Sequence, residues 1–286
     1  MPIDTVRALG AEIDGPDYTW SEEDLILYNL ALGAEGEPTD PDELRYVTEG
    51  DLRVVPTFGT VPPFQLFVQM MMVDGLDVSL SRVLHGSQEL TVHSPIPTSG
   101  TVSQRGRLTE IYHKGSGALV FFEVVSTLGN TGQPIFTNRS SIFVRGEGGF
   151  GGERGPRPGG QAPNGPPDHV VESQTLPQQA LLYRLASGDR NPLHADPGFA
   201  AMAGYPRPIL HGLCTFGIVG KGVVDTALDG EVQQFGSFRA RFSGHVFPGE
   251  TIHTNVWEIH GGFAVEARVA ERGDLVVSDA FVAVRP

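Results

Sequence analysis

The stretch ALLYRLASGDRNPLHADPGFAAMAGYPRPILHGLCTFG, residues 180–217, holds the features on which both fold and site turn. Its opening belongs to Pro177–Ala186, PQQALLYRLA, where a proline in the first turn and Gly188 as a C-terminal cap predict a short helix. Asn191 precedes Pro192 and is restricted to extended geometry, so the chain turns there. Asp196 is placed to cap a small helix that starts near Pro197. From Gly212 to Leu228 the residues form a long apolar helix. Glycines at 212, 217, 220 and 222 weaken that helix, each by about 1 kcal/mol relative to alanine. They make sense where a sheet or a ligand approaches the helix closely.

Beyond this stretch the period changes from helix to strand. Segments Phe235–Phe242, Thr251–Ile259, Phe263–Ala270 and Val276–Val284 read as strands, and in the third Phe263, Val265, Ala267 and Val269 alternate with smaller or charged residues. The first part of the chain repeats the scheme. A helix near Ser21–Leu32 has Ser21 as N-cap and Glu22, Glu23 and Asp24 in its first turn. An apolar, helix-like run follows at Phe64–Val73, then strands at Glu89–His93, Val102–Tyr112, Ala118–Thr127 and Ile135–Val144. His93-Ser-Pro-Ile-Pro97 with Gly100 is echoed by His245-Val-Phe-Pro248 with Gly249, a weak internal duplication. A second echo, Leu84-His-Gly86 against Leu210-His-Gly212, reads as chance, because the first leads into alternation and the second into a helix. An apolar helix followed by about four antiparallel strands, twice, predicts an α+β architecture with each sheet wrapped round its helix. Residues 146–168 contain 14 Gly or Pro in 23 positions and read as a linker. The expected division is therefore 1–145, linker 146–168, and 169–286.

The net charge of −14 argues against nucleic acid as a partner. Residues 1–51 carry 14 Asp/Glu against 2 Arg, a balance of −12, so the remainder is close to neutral at −2. An anionic ligand is acceptable there, with local help from Arg184, Arg190, Arg207, Lys221, Arg239 and Arg241; singly, each reads as a solvated surface charge. No 18-residue apolar run exists, so no membrane span is expected. The N-terminus shows no secretory pattern, the ending Ala283-Val-Arg-Pro286 is not a peroxisomal tripeptide, and Cys214 is the single cysteine. Together these predict a reducing, cytoplasmic setting.

Asp189 and His194 stand five residues apart around the Asn-Pro turn, and the chain then returns to Gly212 at a helix start. Each alone has a plain structural reading: Asp189 closes a turn, Asn191 forms one, His194 fills a core. Jointly they supply two groups that exchange protons and one backbone N–H for a developing oxyanion, the set needed for proton chemistry beside an activated carbonyl. A helix N-terminus adds its dipole, and a missing side chain at Gly212 lets a thioester approach. Cys214 lies three residues after His211 on one helix face and reads as an inert buried thiol. The nine histidines show no zinc-ligand spacing, and no phosphate-binding glycine loop is present.

The 180–217 stretch resembles the signature of the MaoC-like type-2 enoyl-CoA hydratases, the (R)-specific kind. In the first half YTWSEEDLILYNLALGA (18–34), YVTEGD (46–51), PTFG (56–59), VLHGSQ (83–88), KGSG (114–117) and GGFGG (148–152) resemble the hydratase unit of peroxisomal multifunctional β-oxidation enzymes. The resemblance implies a double hot-dog fold, with an N-terminal repeat that houses the acyl chain and a C-terminal repeat that carries catalysis. It also implies a homodimer, an acyl-CoA substrate and no separate cofactor or metal. Carried over by position, Asp189 and His194 match the catalytic pair, Asn191 the supporting amide, Gly212 the oxyanion donor, and Glu49 a family glutamate implicated in function. Glu49 also reads as a capping or surface carboxylate. Fused dehydrogenase and sterol-carrier units of the peroxisomal enzymes have no counterpart in this sequence.

The implied reaction is hydration of trans-2-enoyl-CoA to (R)-3-hydroxyacyl-CoA. Its rivals are dehydration of (R)-3-hydroxyacyl groups on acyl carrier protein, a non-catalytic acyl-CoA-binding protein, and a thioesterase. The acidic N-terminal segment disfavours an acidic carrier protein. The first half is expected to lack a catalytic pair and to offer Phe64, Leu66, Phe67, Met70, Met71 and Met72 as adaptable apolar surface, for core packing or for an acyl tunnel.

Overall fold

The computed structural model describes residues 3–34, 39–76, 78–79, 82–156 and 162–285. The first half contains α1 (Thr5–Ala8), β1 (Glu12–Trp20), α2 (Glu22–Ala31), α3 (Pro41–Leu44), α4 (Phe64–Met70), β2 (Val83–Val92), β3 (Gly100–His113), β4 (Gly117–Leu128) and β5 (Pro134–Arg145). The second contains β6 (His169–Gln174), α5 (Gln179–Ser187), α6 (Pro197–Met202), α7 (Gly212–Ala227), β7 (Phe235–Phe242), β8 (Thr251–Ile259), β9 (Gly262–Val269) and β10 (Leu275–Val284). Helices and antiparallel strands segregate as an α+β fold, but the two expected sheets are one. Ten strands run β1-β3-β4-β5-β2-β7-β10-β9-β8-β6. The halves join where β2 pairs with β7, with Leu90 opposite Phe238 and Thr91 opposite Ser237.

This order is a palindrome: adding five to each strand number of the first half gives the second half read outward from the seam. The His93 and His245 echoes fall in equivalent links, β2 to β3 and β7 to β8. Two strands, β1 and β6, were not expected from the sequence. Both are outer edges, paired on one side only. Strand β1 contains Gly15 and Pro16, and its register shifts between Gly15 and Tyr18. An edge tolerates a proline because one row of N–H groups is unpaired anyway.

Helix α7 fills the role expected of it. Eleven of its residues are buried, from Cys214 to Val224. Its glycines mark close approach by protein: a Cβ at Gly217 would meet Leu32 at 2.5 Å, and one at Gly220 would meet Thr57 at 2.7 Å. The first-half counterpart is shorter than the predicted Phe64–Val73 run. It is a 3-10 turn, Pro56–Thr60, followed by the seven residues of α4. Pro56, Pro62 and Pro63 remove backbone donors and restrict the residues before them, which breaks the helix into pieces.

The larger apolar core crosses both halves, joining Trp20, Tyr28 and Phe58 to Phe216 and Phe238. A second cluster lies wholly in the first half and includes Leu66, Met70, Phe122 and Val144. Lys221 of α7 anchors the acidic segment. It bonds Glu43 at 2.9 Å and Asp225 at 2.8 Å, under the Tyr46 ring. It is thus engaged, not available to a ligand. The Gly/Pro-rich segment has no helix or strand among its described residues, and 157–161 lie outside the description. Its first part is nevertheless docked on the β3–β4 hairpin, where the His113 N–H donates to the Glu153 carbonyl and Phe150 packs on His113.

Candidate active site

Helix α5 ends at Gly188, whose φ of 72° is left-handed and natural for glycine. Two side-chain turns follow directly. Asp189 Oδ1 accepts the Asn191 N–H at 2.9 Å, and Asn191 Oδ1 accepts the Leu193 N–H at 3.1 Å. Pro192–His194 forms one 3-10 turn. The structural and functional readings of Asp189 therefore coexist: Oδ1 closes the turn and Oδ2 is left to face the site. For Asn191, the side-chain oxygen is committed to the turn, which leaves its NH₂ as the group able to donate to a bound molecule.

His194 is buried, with Nδ1 at 2.9 Å from the Ile209 carbonyl. A carbonyl only accepts, so the neutral ring carries its proton on Nδ1 and presents Nε2 as a base. Burial pushes the His194 pKa down, partly opposed by Asp189. Burial pushes Asp189 up, opposed by His194, the Asn191 N–H and Arg184. Each member is biased toward its uncharged form, while their attraction favours the charged pair. That balance suits two groups that pass one proton between them.

The chain returns at α7, and Gly212 is its first residue. The first N–H of a helix has no partner within the helix and carries the positive end of its dipole. Asp189, Asn191, His194 and Gly212 all line one cavity of about 910 Å³. The first half contributes apolar lining to it, with Phe64, Phe67, Val68, Met71, Phe122 and Ile142. Of the six apolar candidates, Phe64, Phe67 and Met71 line this cavity, Leu66 and Met70 are core, and Met72 is exposed. Of the basic candidates, Arg190 lines the cavity. Arg184 lies close enough to favour the Asp189 charge, and Arg207 covers the Phe247 ring. Arg239 and Arg241 lie on β7. Glu49 is not brought to the cavity; it sits exposed in a bend beyond α3.

Two residues were missed. His211, weighed in the sequence only as a neighbour of Cys214, stacks on His194 with ring centroids 3.8 Å apart and planes 27° from parallel. Its Nε2 lies 3.9 Å from Asp189 Oδ2. Neither ring nitrogen makes a hydrogen bond of ordinary geometry among the described residues, although the Asp189 backbone lies near enough to favour the charged ring. Leaving a buried polar atom so costs about 1–3 kcal/mol. Burial and the adjacent His194 push the His211 pKa well down. The other is His85 of β2, which lines the same cavity. The sequence signals for them were the Leu-His-Gly repeat and the family-like motifs that contain them, VLHGSQ (83–88) and the 180–217 stretch. Cys214 is buried, 3.6 Å from the Ala31 carbonyl, its thiol pushed well up by burial, as befits an inert thiol.

Asp189, His194 and His211 offer ligating atoms within 4.8 Å of one another. A shared metal ion would need both imidazoles edge-on. Rings stacked at 3.8 Å do not present both edges to one point. The arrangement fits water and proton traffic better than an ion.

Two family models match the chain in succession. Residues 18–146 match the MFE-2 hydratase 2 N-terminal domain, and residues 159–277 match the MaoC-like domain. Enoyl-CoA hydratase ChsH3 of Mycobacterium tuberculosis is 46% identical over 266 residues, covering 90% of each chain. The peroxisomal hydratase-dehydrogenase-epimerase of Neurospora crassa is 42% identical over 95% of this chain, which spans 30% of that enzyme's length. A MaoC-like dehydratase from Phytophthora capsici superposes with a TM-score of 0.87 at 29% identity, covering 99% of this chain and 98% of that one. The ten-stranded antiparallel sheet with its helices is thus a double hot-dog with one MaoC-like half. Within that class the chain belongs to the hydratase 2 family, in which an MFE-2 hydratase 2 N-terminal domain precedes a MaoC-like domain.

Proposed function

We propose that this protein is an (R)-specific enoyl-CoA hydratase, adding water reversibly across trans-2-enoyl-CoA to form (R)-3-hydroxyacyl-CoA without a cofactor. The observation that carries this reading is the shared cavity, lined by Asp189, His194 and Gly212 at the start of α7 together with apolar first-half residues. Relatives named as enoyl-CoA hydratases support it. One water is held by Asp189 and His194 and attacks the β-carbon as a proton leaves it for the pair. The α-carbon then takes a proton from the same pair, so atoms and charge balance. Between these events the thioester oxygen carries negative charge, which the Gly212 N–H and the α7 dipole stabilise.

The test is hydration of a panel of trans-2-enoyl-CoA substrates, followed as loss of the conjugated-thioester absorbance. Product is then coupled to (R)- or (S)-specific 3-hydroxyacyl-CoA dehydrogenases. NADH from the (R)-specific partner alone is expected. Signal from the (S)-specific enzyme alone overturns the assignment. Faster turnover on carrier-protein thioesters than on CoA thioesters would favour the dehydratase reading. The same reading includes a homodimer in the cytoplasm, to be measured by light scattering and cell fractionation. The single, buried cysteine suits a reducing compartment.

A further inference from the structure

An imidazole is an odd choice at the start of α7. Helix N-caps favour Ser, Thr, Asp or Asn, and the His211 side chain makes no capping bond. An aromatic hydrocarbon would fill the same space without two unpartnered nitrogens. Yet His211 is 1% exposed, with both nitrogens buried and unpartnered among the described residues. Its ring lies flat on His194 at 3.8 Å, Tyr183 packs on it at 5.1 Å, and its Nε2 faces Asp189 Oδ2 at 3.9 Å. The next residue in the chain is Gly212. His211 therefore touches or adjoins Asp189, His194 and Gly212.

A gap of 3.9 Å is too long for a direct hydrogen bond, and neither ring nitrogen is open to water, so imidazole and carboxylate face each other across a dry polar contact. Resting on the hydratase reading above, we propose that His211 is a positioning residue. Its ring fixes the plane of His194, and its Nε2 steadies the Asp189 carboxylate across that contact. The pair and the Gly212 N–H thereby keep one geometry through turnover. The nitrogen, and not only the ring, is the working part.

The experiment compares wild type with His211→Phe, His211→Gln and His211→Asn, reading kcat, KM and melting temperature for each. Phe keeps the stacked shape and removes the nitrogens. Gln carries its amide near the Nε2 position, Asn near Nδ1. The expected result is a His211→Phe protein that melts like wild type and loses about tenfold or more in kcat, with KM within about threefold. His211→Gln should regain much of that loss and exceed His211→Asn. A His211→Phe enzyme with kcat within about twofold of wild type overturns the proposal. So does Gln no better than Asn, or losses that merely follow melting temperature. If His211→Phe does not fold, the Gln and Asn comparison decides. A wild type that hydrates no enoyl-CoA overturns the hydratase reading and this proposal together, whereas an active wild type with indifferent variants overturns this proposal alone.

Discussion

Phe242, the last residue of β7, meets His85 of β2 edge to face at 4.8 Å, and the same ring lies 3.5 Å from where a Gly212 Cβ would stand. One aromatic side chain thus touches the seam between the halves and the start of α7. At 3.5 Å a methyl group makes ordinary van der Waals contact, and Gly212 has no left-handed φ. The fold itself does not demand glycine there.

Gly212→Ala should consequently fold with a melting temperature near that of wild type and yet lose activity, with Gly212→Val losing more. A bound hydroxyacyl-CoA should place its thioester oxygen about 2.7–3.1 Å from the Gly212 nitrogen. An Ala variant with full kcat/KM, or a complex with that oxygen elsewhere, would count against the oxyanion assignment.

Asp189→Asn and His194→Gln should each lower kcat by roughly a hundredfold or more while the protein stays folded. Residues that act as a unit are not additive, so the double variant should be little worse than the poorer single one. Asp189→Asn keeps an oxygen for the Asn191 N–H, which separates the turn from the chemistry. Steady-state kinetics with circular dichroism on the same samples checks both statements.

The first-half wall predicts chain-length preference. Each buried methylene contributes about 0.8 kcal/mol, so two exceed the ~1.4 kcal/mol that corresponds to a tenfold preference. Decenoyl-CoA should outperform crotonyl-CoA in kcat/KM. Val68→Trp, which narrows the cavity from that wall, should erase the preference and spare the short substrate. A flat dependence in the wild type would sink the acyl-tunnel interpretation.

Stability should fall in mild acid. Burial pushes His85 down to about 4 from 6.5, and burial likewise pushes His194 and His211 down. The unfolded chain then takes up these protons first as pH drops below 6.5. The stabilisation is complete above that value and, for His85, is lost over the interval down to about 4. Asp189, pushed up by burial, acts in the opposite sense once it gains its proton. Melting temperature should therefore decline between about pH 7 and pH 5, with a shallower decline in His85→Gln.

Much of this was legible in the residues because the signals were local. Gly188, Asp196 and Ser21 announced their caps, and alternation announced the central strands. The Asp189–His194 turn was readable since Pro192 fixes it within a few residues. What escaped depends on distant partners. Strands β1 and β6 draw their pairing from β3 and β8 and carry little strand pattern of their own. His211 looked ordinary because its importance lies in facing His194 and Asp189, contacts that exist only once α7 has packed. The Leu84-His-Gly86 echo reads as chance because its first copy leads into a strand and its second into a helix, although both histidines line one cavity.

The seam has a consequence for how the chain must be made. Strands β2 and β7 satisfy each other's backbone across the midline. A half produced alone would bare that strand along its length, in addition to its natural outer edge, and such an open row of N–H and C=O groups recruits other chains. Cutting the gene at the glycine-rich segment should yield two sticky fragments in place of two small domains, and co-expression should rescue what separate expression cannot. Biosynthesis of this protein is in that sense an assembly step between covalently tethered partners, completed only when the last five strands have emerged.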